Sequence, residues 1–374
     1  MYIFLCLIFI TTLMLGIKFI PKVVELSHEL HFYDMPDSRK VHKFPIPRLG
    51  GVAFLPIVVV AVTAMIVILL RLNFDTAKLW QGTIVQTFVA YLCGVMLLYA
   101  IGLYDDIHGV GYRTKFVVQI ISASILCVSG LWVSNLQYVM WIREIPFWIG
   151  MPVTVLFTVY VTNAINLIDG IDGLASGMSI VSLVVIAVLN ITTGDTVWAM
   201  LAIAYIGVLC AFFYYNVYSR KFKTFMGDAG SLTLGFTISF MILHFWQLTP
   251  VWNPHFHNVG IVAMSTIIIP MFDVVRVMMS RIRDGRNPFL PDKNHIHHKL
   301  LRTGMSAHLT MLVLLLVSFV FIVINYFMAS YVSQTLMIVV DVLLFVLMHV
   351  VINYFIAKNE QDKDEYRREM EVEE

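Results

Sequence analysis

Hydrophobic residues in this chain come in long runs, without the alternation of a half-buried strand or the single stripe of a surface helix. Crossing a hydrocarbon layer of roughly 30 Å takes about 20 apolar residues of helix. Runs of that order fall near 2–21, 50–70, 83–103, 115–134, 147–166, 177–193, 197–214, 230–247, 259–279, 308–328 and 334–357. Only Thr193-Gly194-Asp195-Thr196 parts the sixth from the seventh. The pattern predicts an all-α fold, a polytopic transmembrane helical bundle of about eleven spans. One integral-membrane domain would take up residues 1–357, with 358–374 as a charged tail. The first run has no basic stretch before it and no small-residue cleavage site, so it reads as a retained anchor and not a signal peptide. There is no repeat of 20–50 residues. Nor is there an inverted repeat of the kind from which paired-half transporters are built.

Between the runs, polar residues are unevenly placed. The loops after the first, third, fifth, seventh and ninth runs carry the polar motifs, while the alternate loops are short and plain. By parity these five loops share one face. All but three of the 25 Lys and Arg (the exceptions are Arg71, Lys78 and Arg143) belong to that face or to the tail. Cytoplasmic loops collect such an excess, which predicts an outside N-terminus and an inside tail.

Composition narrows the class. Of 374 residues, 59% are hydrophobic and 13% charged, against roughly 25% charged in soluble domains. A soluble enzyme and a disordered chain are thereby excluded. A net charge of +1 lacks the cationic excess of a nucleic-acid binder. Cys6, Cys93, Cys127 and Cys210 lie far apart inside apolar runs and read as small buried hydrophobes, not as a disulfide or zinc set.

Candidate chemistry sits in the co-facial loops. Asp105-Asp106 are neighbouring carboxylates that repel each other unless a cation is near. Oxygen donors of this kind suit a hard ion such as Mg²⁺, although a lone Asp-Asp pair also suits a solvated turn. In the stretch from Asn163 to Asp172, Asn163 and Asn166 are i,i+3 and share a helix face. Asp169 and Asp172 share the same spacing, and Gly170 and Gly173 allow close backbone approach. Gly227-Asp228-Ala229-Gly230-Ser231 opens an apolar helix, so Asp228 is either a metal ligand or the helix cap. His295, His297 and His298 stand among Lys and Arg without a nearby Cys, which favours phosphate binding over a transition metal. Asp273 and Arg276 are spaced to pair with each other. Asp341 is a single acid within the eleventh run, functional by default, with no partner apparent.

Taken together, Asp105-Asp106, Asn163–Ala175, Met226–Ser231 and Pro291–His298 resemble the polyprenyl-phosphate N-acetylhexosamine-1-phosphate transferases. The resemblance covers roughly residues 30–305. His295-Ile296-His297-His298-Lys299-Leu300, preceded by Pro288-Phe289-Leu290-Pro291-Asp292, is similar to the N-acetylglucosaminyl branch. It departs from the three consecutive histidines of the muramoyl-pentapeptide branch. What the resemblance implies is transfer of a sugar 1-phosphate from a UDP-N-acetylhexosamine to undecaprenyl (polyprenyl) phosphate, with release of UMP. The product would start cell-surface polysaccharide synthesis at the cytoplasmic face of the cell membrane. It also implies Mg²⁺ or Mn²⁺ held by Asp228 with Asp105 and Asp106, this pair lying nearest the phosphoryl chemistry. Asp105, Asp106, Asp169, Asp172, His297 and His298 form the implied catalytic set. Asn163, Asn166, Asn216, Phe225, Lys43, Arg48, Lys115 and His295 are the implied substrate contacts, with Phe225 stacking on uracil. A homodimer is left open. The rival reading, a membrane transporter or lipid flippase, needs polar groups at mid-membrane, where only Asp341 and the Asp273–Arg276 pair qualify.

Overall fold

A computed structural model of the chain describes residues 1–34, 45–74, 82–139, 142–248, 258–287 and 294–373. Every apolar run found in the sequence falls on helix. In chain order these are α1 (Tyr2–Glu29), a 3-10 turn (Gly50–Ala53) leading into α2 (Phe54–Arg71), α3 (Gly82–His108) and α4 (Tyr112–Val128). Then come α5 (Phe147–Ile168), α6 (Leu174–Thr193), α7 (Thr196–Val217), α8 (Gly227–Leu248), α9 (Val259–Ser265) and α10 (Ile268–Arg283). The short α11 (Ile296–Arg302), α12 (Ala307–Met328) and α13 (Gln334–Glu373) complete the described helices. The described strands form two small antiparallel ribbons: β1 (Tyr33–Asp34) with β2 (Ile46–Pro47), and β3 (Asn135–Val139) with β4 (Ile142–Glu144).

Among the described residues, nine helices are long and apolar enough to cross a membrane. The chain is thus an all-α, polytopic membrane protein. Two of the eleven expected spans differ in form. The ninth run is not one rod: α9 and α10 meet at 67°. Pro270 has no N–H for the carbonyl of Thr266, and that carbonyl instead accepts from Ser318 Oγ at 3.5 Å. Ser265 and Thr266 also turn their hydroxyls back onto the carbonyls of Val262 and Ala263, a habit that bends helices. The fourth run gives a helix of only 17 residues, α4, about 25 Å long at the α-helical rise. It ends where Gly130 takes φ +93°, and Gln119, Ser122 and Ser124 reduce its apolar length.

At the centre stands α8, the most buried of the spans. It packs against α3 on one side and α5 on the other. Without a hydrophobic drive between helices in lipid, close approach depends on small residues. A Cβ on Gly102 of α3 would lie 2.7 Å from the Ala229 backbone, and one on Gly235 would lie 2.7 Å from Thr162 Cα of α5. These contacts bring the ends of α3 and α5 beside the first turn of α8.

Candidate active site

The last turn of α3 holds Asp105 and Asp106, and their roles separate at once. Buried Asp106 accepts the backbone N–H groups of Asp228 (2.9 Å) and Ala229 (3.0 Å), and Arg48 Nη2 at 3.2 Å. It satisfies orphan donors at the positive end of α8. The carboxylate capping this helix is therefore Asp106 and not Asp228. Gly227 makes the turn with φ +69°. A side chain there would run into the Arg48 carbonyl and Asp106.

Asp228 is left facing inward. It accepts Lys115 Nζ at 2.7 Å and Asn166 Nδ2 at 3.1 Å, and Asn166 also donates to Ser231 Oγ at 2.8 Å. Lys115 reaches across to Asp105 at 3.3 Å, and Asp105 takes the Val110 N–H at 2.6 Å. Ligand oxygens of Asp105, Asp106 and Asp228 all lie within 4.8 Å of one another. Three carboxylates against Lys115 and Arg48 leave the cluster one negative charge in excess. Hard oxygen donors with surplus negative charge fit a divalent cation that keeps waters and phosphate oxygens in its shell. All three carboxylates accept on both oxygens, but Asp106 is held by two backbone N–H groups and Arg48. By contrast, one oxygen each of Asp105 and Asp228 is held by the Lys115 ammonium, a donor that an ion can displace.

Beside the cluster opens a cavity of about 1490 Å³. Its wall includes Arg48, Asn166, Asp169, Asp172, Asn216, Phe225, Asp228 and His298. Asp169 is exposed on the cavity wall. The protein around it and the charges of Asp172, Asp228 and Asp106 raise its carboxyl above the usual carboxylate range. Asp172 pairs with Lys223 at 2.6 Å. Asn216 accepts the Gly173 N–H at 2.6 Å and donates to the Thr224 carbonyl at 2.9 Å, tying the loop after α5 to the loop after α7. Phe225 is half-buried on the wall, its N–H donating to the Pro47 carbonyl at 2.8 Å.

Six expected site residues do not line this wall: Asp105, Asp106 and Lys115 sit in the cluster beside it, and Asn163, His295 and His297 are turned elsewhere. Asn163 turns away to exchange hydrogen bonds with Gln119 (2.6 and 3.4 Å) and to donate to the Val159 carbonyl. His295 is buried, with Nδ1 2.8 Å from Asp273. His297 is buried, and among the described residues neither ring nitrogen has a partner. Burial and the neighbouring imidazoles of His298 and His295 push it down to about 3, so its ring is neutral near pH 7. Lys43 lies outside the described residues.

Several residues of the site were not singled out from the sequence. Ser231 looks like an ordinary polar residue near the start of an apolar helix, and Lys223 was one cation among several in its loop. His308, on the cavity wall in the first turn of α12, had as its only signal its place at the edge of an apolar run. Asp341, left without a partner, accepts from Asn325 Nδ2 at 2.8 Å and so links α12 to α13.

Residues 88–245 match glycosyl transferase family 4. The chain is 29% identical over 316 residues to a Bacillus subtilis (strain 168) protein named probable undecaprenyl-phosphate N-acetylglucosaminyl 1-phosphate transferase. That match covers 84% of this chain and 82% of the relative. A Yersinia pestis undecaprenyl-phosphate alpha-N-acetylglucosaminyl 1-phosphate transferase is 28% identical, covering 80% of this chain and 77% of its own. The Escherichia coli (strain K12) protein of the same name is 29% identical over 76% and 72%.

Proposed function

We propose, for a chain whose residues 88–245 match glycosyl transferase family 4, that it moves N-acetylglucosamine 1-phosphate from its UDP-sugar to undecaprenyl phosphate. The observation that carries this reading is the meeting of Asp105, Asp106, Asp228 and Lys115 beside a cavity whose wall carries both charged and apolar side chains, at one end of an apolar bundle. A lipid phosphate reaches that place along the bilayer and a nucleotide sugar reaches it from water. An oxygen of the lipid phosphate attacks the sugar-bearing phosphorus. The bond from that phosphorus to the UMP oxygen breaks, and UMP leaves with the electron pair.

Phosphoryl transfer is catalysed mainly by positioning and charge neutralisation. Asp228 and Asp105 would hold Mg²⁺, with Mn²⁺ as the alternative, and the bound ion would supply positive charge to the diphosphate. Asp106 keeps the first turn of α8 in place, so that Asp228 stays aimed at the cluster. Lys115 compensates Asp105 and Asp228 and can shift toward a phosphate. Asp172, Asn216 and Phe225 suit the nucleotide end of the cavity, and His298 suits the diphosphate. We place the site on the cytoplasmic face of the cell membrane, with the N-terminus outside and the tail inside. Transport reads less well, because Asp341 is paired with Asn325 and Asp273 with Arg276.

The test is purified protein with undecaprenyl phosphate and each UDP-N-acetylhexosamine, scoring UMP release and the lipid product by mass spectrometry. The expected result is metal-dependent N-acetylglucosaminyl-diphosphoundecaprenol. Asp228→Asn should lower kcat by about 10²–10³-fold, the order seen when one electrostatic group is removed from such a site. No lipid-linked product with any donor, or full activity in Asp228→Asn, overturns the reading.

A further inference from the structure

The short helix α11 carries the histidine motif, yet its position is dictated from α10. Asp273, 1% exposed, accepts the Ile296 N–H at 3.0 Å on Oδ1 and meets His295 Nδ1 at 2.8 Å on Oδ2. Arg276 pairs with the same carboxylate at 2.7 Å, and its Nη2 also donates to the Asn294 carbonyl. One acid and its ion pair thus grip residues 294, 295 and 296 in succession. An ionised carboxylate can only accept, so the His295 ring proton sits on Nδ1, facing Asp273 and not the cavity.

A ladder of rings follows from this anchor. His295 and His297 are parallel within 4°, their centroids 6.0 Å apart, and His297 lies 4.2 Å from His298. Gly170, in the loop that bears Asp169 and Asp172, closes over His297, where any side chain would overlap the ring. Of the three imidazoles only His298 reaches the cavity wall. A buried carboxylate costs several kcal/mol of solvation unless it is fully engaged. Among the described residues, the hydrogen bonds to Asp273 come from the start of α11 and from Arg276.

We infer that Asp273 is a positioning residue, which through His295 and the Ile296 N–H sets α11 so that His298 faces the cavity, and that His295 serves as its hydrogen-bond donor and not as a substrate ligand. The kinetic consequences rest on the transferase reading above; the placement itself does not.

The kinetic test is a double-mutant cycle with a conservative rescue. Asp273→Ala should lower kcat about 10–100-fold, as loss of a supporting hydrogen-bond partner does at other sites. In a His298→Ala background the same change should cost less than about two-fold more, since groups acting through one another are non-additive. His295→Asn, which keeps an N–H where Nδ1 stood, should stay within about three-fold of wild type, unlike His295→Ala. Full additivity of Asp273 with His298, or His295→Asn as impaired as His295→Ala, overturns the inference. A second measurement needs no turnover: carbethoxylation by diethyl pyrocarbonate, read by mass spectrometry. His297 should be protected in the wild-type protein and modified in Asp273→Ala. If Asp273→Ala does not fold, Asp273→Asn, which keeps one acceptor, should show partial modification. Unchanged protection of His297 in the folded variant overturns the placement. Absence of lipid-linked product with the wild-type protein overturns only the transferase reading.

Discussion

His297 shows how far a residue's chemistry depends on its surroundings. Its ring is sealed between His295, His298 and Gly170, and among the described residues its nitrogens have no partners, so protonation is resisted down to about 3. A free imidazole takes up its proton near 6.5. Between those values the opened state of α11 binds a proton that the closed state does not. Stability of the closed state is therefore complete above about pH 6.5 and falls as pH drops toward 3. Thermal inactivation measured from pH 7.5 to 5 should show a falling midpoint, and His297→Gln should flatten that slope. An equal slope in the variant would mean that other groups dominate the acid side. The sequence had marked His297 as a group for the diphosphate and put it in the loop after the ninth run, with no sign of the short helix α11. It carried no sign that a glycine 127 positions earlier would close over the ring.

Helix ends decide which acid does what. Asp105 and Asp106 are neighbours of one type, and in sequence nothing separates a cap from a ligand. They differ because the start of α8, over 120 residues away, arrives beside one and not the other, through the close approach of Gly102 to Ala229. Removing Asp106 leaves two buried N–H groups without an acceptor, a loss of about 1–3 kcal/mol. Asp106→Ala should thus lower the thermal midpoint in detergent by more than Asp105→Ala does, while both reduce turnover. Equal midpoints for the two variants would remove the capping role. The same dependence on distant contacts explains what was legible among the elements. Eleven apolar runs identified the helices, because lipid demands about twenty apolar residues whatever the neighbours are. The ninth run read as one span, and the 67° break at residues 266–267 depends on Ser318 and Thr266 meeting from separate parts of the chain.

Across the molecule, the loops that parity assigned to one face do meet. Asn166 at the end of α5, Asp228 at the start of α8 and Asp105 at the end of α3 share one cluster, as alternating spans require. What remains is which way this face looks. α5 has 22 residues and spans about 33 Å, so its two ends report on opposite sides. Trp148, 73% exposed at its first turn, stands far from Asn166, while Ser219 lines the cavity. With Cys6, Cys93, Cys127 and Cys210 replaced by Ala, Trp148→Cys and Ser219→Cys can each be treated with a membrane-impermeant maleimide. Right-side-out vesicles should label Trp148→Cys alone, and inverted vesicles should label Ser219→Cys alone. Saturating the inverted vesicles with the UDP-sugar should slow labelling at Ser219→Cys, because that side chain borders the donor's cavity. Labelling of Ser219→Cys from the outside would turn the cluster away from the cytosol. The Lys and Arg excess would then have misreported the orientation, and a donor made in the cytosol could not reach Asp228.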